Sequence, residues 1–209
     1  MIHPDTELRR VDPEIGLGVF ATRPLPRGTI TWALDDLDLR ISATRLQKLG
    51  ERYRPLIDRY AYLNGHGERI LCWDIGRFMN HSCDANSIST GWDFDLAVRD
   101  IEAGEQITND YALLNLEYSF ECACDSARCR GVVSSTGPDW EALTPGLDGQ
   151  VRTACRDAGR IEQPLWPWVR AKVSARRAFR DPSLALSVSK HRFDATPAPA
   201  SLTADVGHR

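Results

Sequence analysis

Apolar residues along this chain fall in short, closely spaced runs broken by glycine, proline and acidic side chains, a rhythm that predicts many brief strands and few long helices. Gly16-Leu17-Gly18 predicts a turn feeding a short strand at Val19–Ala21, and a second strand follows near Thr29–Leu34. Ser42 to Leu49 reads as a short helix, with Ser42 as its cap and Gly50 as its stop. Tyr60-Ala61-Tyr62-Leu63 alternates, Asn64-Gly65 turns the chain and Arg69–Trp73 returns, which predicts a hairpin. Trp92, Phe94, Leu96 and Val98 share one face of a further strand, with Asp93, Asp95 and Ala97 on the other. From Gly137 the character changes: Gly149–Gly159 and Pro164–Phe179 carry helical spacing, with Trp166, Trp168 and Val169 as apolar anchors. Residues 1–14 are polar and read as a loosely held lead-in, while residues 182–209 turn small and polar, the composition of a flexible tail. The expected class is mainly β with short helices (α+β), plus a helical C-terminal extension over residues 136–181. A parallel-sheet α/β fold is disfavoured. Gly16 to Ala21 does spell a G-x-G-x-x-A fingerprint, but Pro24, Pro26 and Gly28 follow where a dinucleotide fold needs a helix to begin.

Composition adds a constraint on partners. The chain has 209 residues with 42% hydrophobic content, enough for one domain with a real core and an appendage. Its net charge of −3 hides an uneven split: residues 1–150 hold 24 acidic against 15 basic side chains, whereas the stretch from Arg152 to Arg192 is strongly basic. An acidic domain favours a basic partner through long-range attraction. Direct nucleic-acid binding is disfavoured, because the basic residues fall around helices and not in a patch interleaved with aromatics. No signal-like start and no apolar run of membrane-spanning length stands in the sequence, so a soluble chain in the reducing cytoplasm is expected, with export as an effector left open.

The chemistry concentrates in three stretches. Arg77-Phe78-Met79-Asn80-His81-Ser82-Cys83-Asp84-Ala85-Asn86 is too irregular for an amphipathic element and sets small polar groups beside one thiol. Gly104-Glu105-Gln106-Ile107-Thr108-Asn109-Asp110-Tyr111 reads as a strand ending in a tyrosine. Cys122, Cys124 and Cys129 form C-x-C-x4-C, three thiols where a closed structural zinc site wants four ligands. Cys72 and Cys155 sit in strand and helix patterns and read as packing residues.

In this order the three motifs resemble those of the SET-domain protein lysine methyltransferases with a post-SET zinc segment, over roughly Ile15 to Val133, and the arginine-heavy, lysine-poor composition suits a compact member of bacterial type. The resemblance implies a β-clip with knot-like C-terminal threading, a SET domain at residues 15–113 and a zinc segment at 114–135. It implies Cys83 as the fourth ligand beside Cys122, Cys124 and Cys129, around a structural Zn2+. S-adenosylmethionine would be held by the main chain of Gly16, Leu17 and Gly18, by Arg77, Asn80 and His81, and with weaker warrant by Tyr60. Tyr111 would be the catalytic residue, orienting a neutral lysine amine, and it borders the donor as well. The implied partner is a basic, lysine-containing protein or peptide, histone-like or otherwise, laid along a strand edge. The C-terminal helices leave room for a homodimer.

Departures from the family pattern are specific. Leu71 stands before Cys72-Trp73-Asp74 where relatives often place a channel tyrosine, Asn109 replaces an aromatic residue two before Tyr111, and Val132 follows Arg130-Gly131 where an aromatic is common. Leu17 replaces a large side chain. These gaps support the alternative: a weak or inactive SET fold that binds a peptide or partner.

Overall fold

The computed structural model describes residues 1–193. Twelve strands and four α-helices lie among them, in an α+β arrangement of small sheets with few helices. β1 (Thr6–Arg10) pairs antiparallel along its whole length with β2 (Leu17–Ala21), so the polar lead-in is an edge strand and not a loose arm. Its two exposed arginines, Arg9 and Arg10, made the segment look unstructured, yet an edge strand tolerates them well. β3 (Ile30–Ala33) is buried throughout, and β4 (Leu39–Ile41) precedes two short helices. In α1 (Ala43–Lys48) the Ser42 side chain caps Arg45 N as expected. α2 (Arg54–Tyr60) was not foreseen; it buries only Ile57, too little for an apolar stripe to register, and it takes Tyr60 out of the expected strand.

β5 (Ala61–Leu63) and β6 (Arg69–Leu71) form the expected hairpin, with β4 added on the far side of β6. β7 (Asn80–His81) is a two-residue strand. β8 (Ser87–Ser89) pairs with β9 (Phe94–Ala97), which also takes β3 on its other edge. Every residue of β9 is buried, so both faces are covered, including the one that carries Asp95. β10 (Gln106–Asn109) runs between β2, to which it is antiparallel, and β7, to which it is parallel. β11 (Phe120–Glu121) and β12 (Val132–Val133) close the cysteine-bearing loop.

α3 (Pro138–Ala158) begins well before the expected Gly149. Trp140, Leu147, Val151, Ala154 and Cys155 are buried at helical spacing in the same core as β3 and β9, and that tertiary burial overrides Pro145 and the glycines. Gly28, at φ +93°, lets the helix in: a Cβ there would stand 2.6 Å from Ala158 N and 2.7 Å from Ala154 O. Gln163 then ties the helix end to the sheet, its Oε1 accepting from Ile30 N at 2.9 Å and its Nε2 donating to Gly28 O at 2.8 Å. The stretch Pro164–Phe179 divides into a 3-10 turn at Trp166–Trp168 and α4 (Lys172–Arg180). Trp166 packs on Phe179 at 5.9 Å, so the C-terminal helices cap the domain's own core.

The expected flexible tail starts too early at 182. Val188 is buried, Val188 N donates to Asp148 at 2.8 Å, and Asn115 bonds both His191 O and Phe193 N. Short polar residues hid this, because the segment is held by side-chain and turn hydrogen bonds and not by an apolar stripe. The rest of the expected tail, 194–209, lies outside the described residues. Among the described residues no helix is long and apolar enough to cross a membrane.

Candidate active site

Strand β10 brings the separated motifs together. Its parallel register sets Thr108 beside Asn80 and Asn109 beside His81, while its other edge pairs with β2 just past the glycine turn. Asn80 Nδ2 donates to Leu17 O at 3.0 Å, so Gly16-Leu17-Gly18 is joined to the Asn80-His81 pair. Gly18 has no room for a side chain, since a Cβ would lie 2.8–3.0 Å from Val11, Gln106 and Asn80. Gly16 turns at φ +88° next to the Arg59 guanidinium.

Tyr111 starts the 3-10 turn Tyr111–Leu114, which Asp110 caps through Ala112 N at 3.1 Å. Its hydroxyl donates to Met79 O at 2.7 Å and its backbone N donates to His81 Nδ1 at 3.1 Å. Burial, with Tyr118 adding, pushes the phenol up to about 12, so it stays a neutral, oriented group at ordinary pH. Arg130, from the cysteine-rich loop, grips Asp110 with two hydrogen bonds of 2.7 and 2.6 Å. That buried ion pair, unannounced by any sequence motif, bolts the loop to the residue before Tyr111.

A cavity of about 470 Å³ opens beside Tyr111, walled by Tyr60, Tyr62, Arg77, Asp95 and Asn109 among others. Tyr60 packs edge-on against Phe78 at 5.2 Å, with the Arg59 guanidinium 5.4 Å from the Tyr60 ring and that of Arg77 5.1 Å from the Phe78 ring. Arg59 was missed in the sequence because its helix was missed. Asp95 is buried, and Asn109 Nδ2 donates to its Oδ2 at 2.8 Å. Burial pushes the Asp95 carboxyl up to about 6 against the hydrogen bonds from Ser89 and Asn109. In the sequence Asp95 was one acid in an alternating strand; only the covering of both sheet faces gives it meaning.

The sulfur ligands also converge. One ligand atom each from His81, Cys83, Cys122 and Cys124 lies within 4.8 Å of the others, a set able to hold a metal ion. Cys83 and Cys122 Sγ are 3.8 Å apart, the edge of a tetrahedron whose metal–sulfur bonds are about 2.3 Å. Backbone N–H groups of Arg130 and Cys83 donate to Cys83 Sγ and Cys124 Sγ at 3.4 and 3.5 Å. Burial opposes ionisation of Cys124, yet N–H donors from Cys83 and Ser126 and the thiols of Cys122 and Cys129 bring it down to about 7. Burial raises Cys83 and Cys122. The expected quartet had Cys129 where this grouping has His81: Cys129 is exposed, its Sγ 3.4 Å from Cys122 O. His81 Nδ1 accepts from Tyr111 N, so a neutral ring carries its proton on Nε2, which stands 3.3 Å from Cys83 Sγ. Burial lowers the His81 pKa and Arg130 adds to this, against the Asp110 carboxylate, so the neutral ring prevails. Cys72 and Cys155 are buried outside the cluster, as expected.

Residues 16–112 match the SET domain family. The chain is 31% identical over 143 residues to the Variant-silencing SET domain-containing protein of Plasmodium falciparum (isolate 3D7), an overlap covering 60% of this chain and 5% of that protein. It is 36% identical over 129 residues to the histone-lysine N-methyltransferase Set2 of Drosophila melanogaster, covering 56% of this chain and 6% of the relative. With the histone-lysine N-methyltransferase ATX2 of Arabidopsis thaliana it shares 35% over 99 residues, covering 44% and 8%. The chain thus spans less than a tenth of the length of these relatives.

Proposed function

We propose, from the match of residues 16–112 to the SET domain family, that the protein transfers a methyl group from S-adenosylmethionine to the ε-amine of a lysine in a basic protein. Bound S-adenosylmethionine supplies an electrophilic methyl on a sulfonium. The residues at the site suit such a ligand. Among the described residues neither Arg59 nor Arg77 has a carboxylate partner, which fits a ligand with an anionic amino-acid end. The main chain of Gly16, Leu17 and Gly18 and the amide of Asn80 would hold the rest. The His81 ring is occupied by Tyr111 and Cys83, so its donor contact would run through its backbone.

The observation that carries the reading is the fixed phenol of Tyr111 at the cavity wall. Lysine attacks as the neutral amine although its ordinary pKa is about 10.4. The apolar rings lining the cavity disfavour the ammonium by desolvation, and the Tyr111 oxygen, its proton committed to Met79 O, can accept an N–H and aim the lone pair. Positioning of this kind is worth several kcal/mol.

A structural zinc ion would be held by Cys83, Cys122 and Cys124 of the converged group, with Cys129, whose thiol is within hydrogen-bond reach of Cys122 and Cys124, as the fourth ligand and His81 Nε2–H donating to the Cys83 thiolate as an outer partner. The ion would hold the segment carrying Arg130, hence Asp110, hence Tyr111. The acidic domain suits a lysine- and arginine-rich partner.

Incubation with labelled donor and mixed basic proteins tests the reading. Labelling that falls at least about a hundredfold in Tyr111→Phe, with donor still bound, supports it. Bound donor with no labelling of any protein favours the second reading, a peptide-binding module, for which the missing aromatics at Leu71 and Asn109 speak.

A further inference from the structure

Among the described residues four buried side-chain nitrogen or oxygen atoms lack a hydrogen-bond partner: Trp32 Nε1, Arg69 Nε, Asn109 Oδ1 and His191 Nε2. All four residues line the cavity beside Tyr111. Asn109 is the most telling. Its Nδ2 donates to Ser89 Oγ at 2.9 Å and to Asp95 Oδ2 at 2.8 Å, and since a carboxylate oxygen only accepts, the amide cannot be turned the other way. Oδ1 is therefore a true acceptor without a donor, in a side chain 4% exposed. Next to it lies a buried carboxylate that Asn109 engages through one oxygen only. Two acceptors, one on β9 and one on β10 of a different sheet, thus line the cavity, and among the described residues no lysine or arginine forms an ion pair with Asp95.

An aromatic wall would bind a cation of any substitution by its ring faces. An amide oxygen beside a carboxylate asks for something narrower, a positive group that also has N–H bonds to give. Tyr62 and Cys72 face Asp95 from the neighbouring sheet, and burial raises both, so neither competes with Asp95 as the negative group there. A lone carboxylate is too few ligands for a divalent cation. We propose that Asp95 and Asn109 form the seat in which the substrate's primary amine first docks as the ammonium, with N–H donated to the Asp95 carboxylate and to Asn109 Oδ1, before it loses a proton and Tyr111, in the same cavity, aims the neutral lone pair. This rests on the reading that the cavity receives a lysine amine, and it deepens that reading. Each methyl added to the nitrogen removes an N–H that the seat accepts, so the unmethylated amine is the favoured occupant.

The probes are n-butylammonium and n-butyltrimethylammonium, the second having no N–H. The Asp95 side-chain carboxyl is followed by 13C NMR in the whole chain during titration with each. The expected result is a shift of the Asp95 signal by n-butylammonium and binding at least about tenfold tighter than that of the trimethyl compound. In Asp95→Asn, with the fold checked by thermal melting, that preference disappears. Equal binding of the two cations, no shift with either, or a preference that survives in Asp95→Asn overturns the seat. Seat binding without methyl transfer to any basic protein would instead overturn the methyltransferase reading and leave the seat standing.

Discussion

Asp95 and Tyr111 face the same cavity, and burial works against the anion of each. Tyr111 is kept neutral and donates to Met79 O, so Tyr111→Phe leaves a buried carbonyl short of a partner and is expected to cost about 1 kcal/mol of stability beside its loss of activity, checked by urea unfolding. In Asp95 the carboxyl is raised from 3.8 to about 6 by burial, which brings its titration into the accessible pH range. The native state keeps that proton at a pH where the unfolded chain has released it, so stability falls as pH rises from about 4 to about 6. The shift corresponds to about 3 kcal/mol. Asp95→Asn removes the ionisation. Its stability relative to wild type is therefore expected to improve by about that amount between pH 4 and pH 7, measured by denaturant melts at each pH. The fourth metal position is open to the same kind of test: Cys129→Ser is expected to lose bound zinc by elemental analysis, while His81→Gln keeps it, because Nε2–H donates and does not ligate. The convergence of Cys83, Cys122 and Cys124 was legible in the sequence, since spacing and order survive in one dimension, whereas the place His81 takes beside them in lieu of Cys129 was not. Asp95 and the Asp110–Arg130 pair were not, because their meaning depends on burial and on strands paired across long stretches of chain.

At the level of elements, the small sheets and the hairpin at Ala61–Leu71 followed from alternation and turn residues. Helix α3 did not, for its first half contains Pro145 and Gly146 and holds together through Trp140 and Leu147 in the shared core. Its docking depends on Gly28, where a Cβ would strike helix backbone and where φ is +93°. Gly28→Ala is expected to cost about 2 kcal/mol or more, read as a lower urea midpoint. Chelation should act on a different element. Without the proposed zinc ion, β11, β12 and the loop between them would lose their sulfur anchor, and Arg130 its hold on Asp110. Faster amide exchange over residues 120–133 and a fall in activity reversed by added zinc are the expected outcomes.

On the scale of the whole molecule, the helical extension belongs to the same core as the β3–β9–β8 sheet, and its tryptophans cap that core. Residues 1–150 carry the chain's acidic excess, and binding of the proposed lysine-rich peptide is expected to weaken as salt rises, measured by titration calorimetry. The most direct test is mass spectrometry of basic proteins incubated with this chain and isotopically labelled S-adenosylmethionine, with Tyr111→Phe alongside. Labelled methyl on lysine ε-amines, chiefly single, formed by the wild type and nearly absent with the variant, is the expected result; donor bound with no lysine modified, or labelling unchanged in Tyr111→Phe, would contradict it.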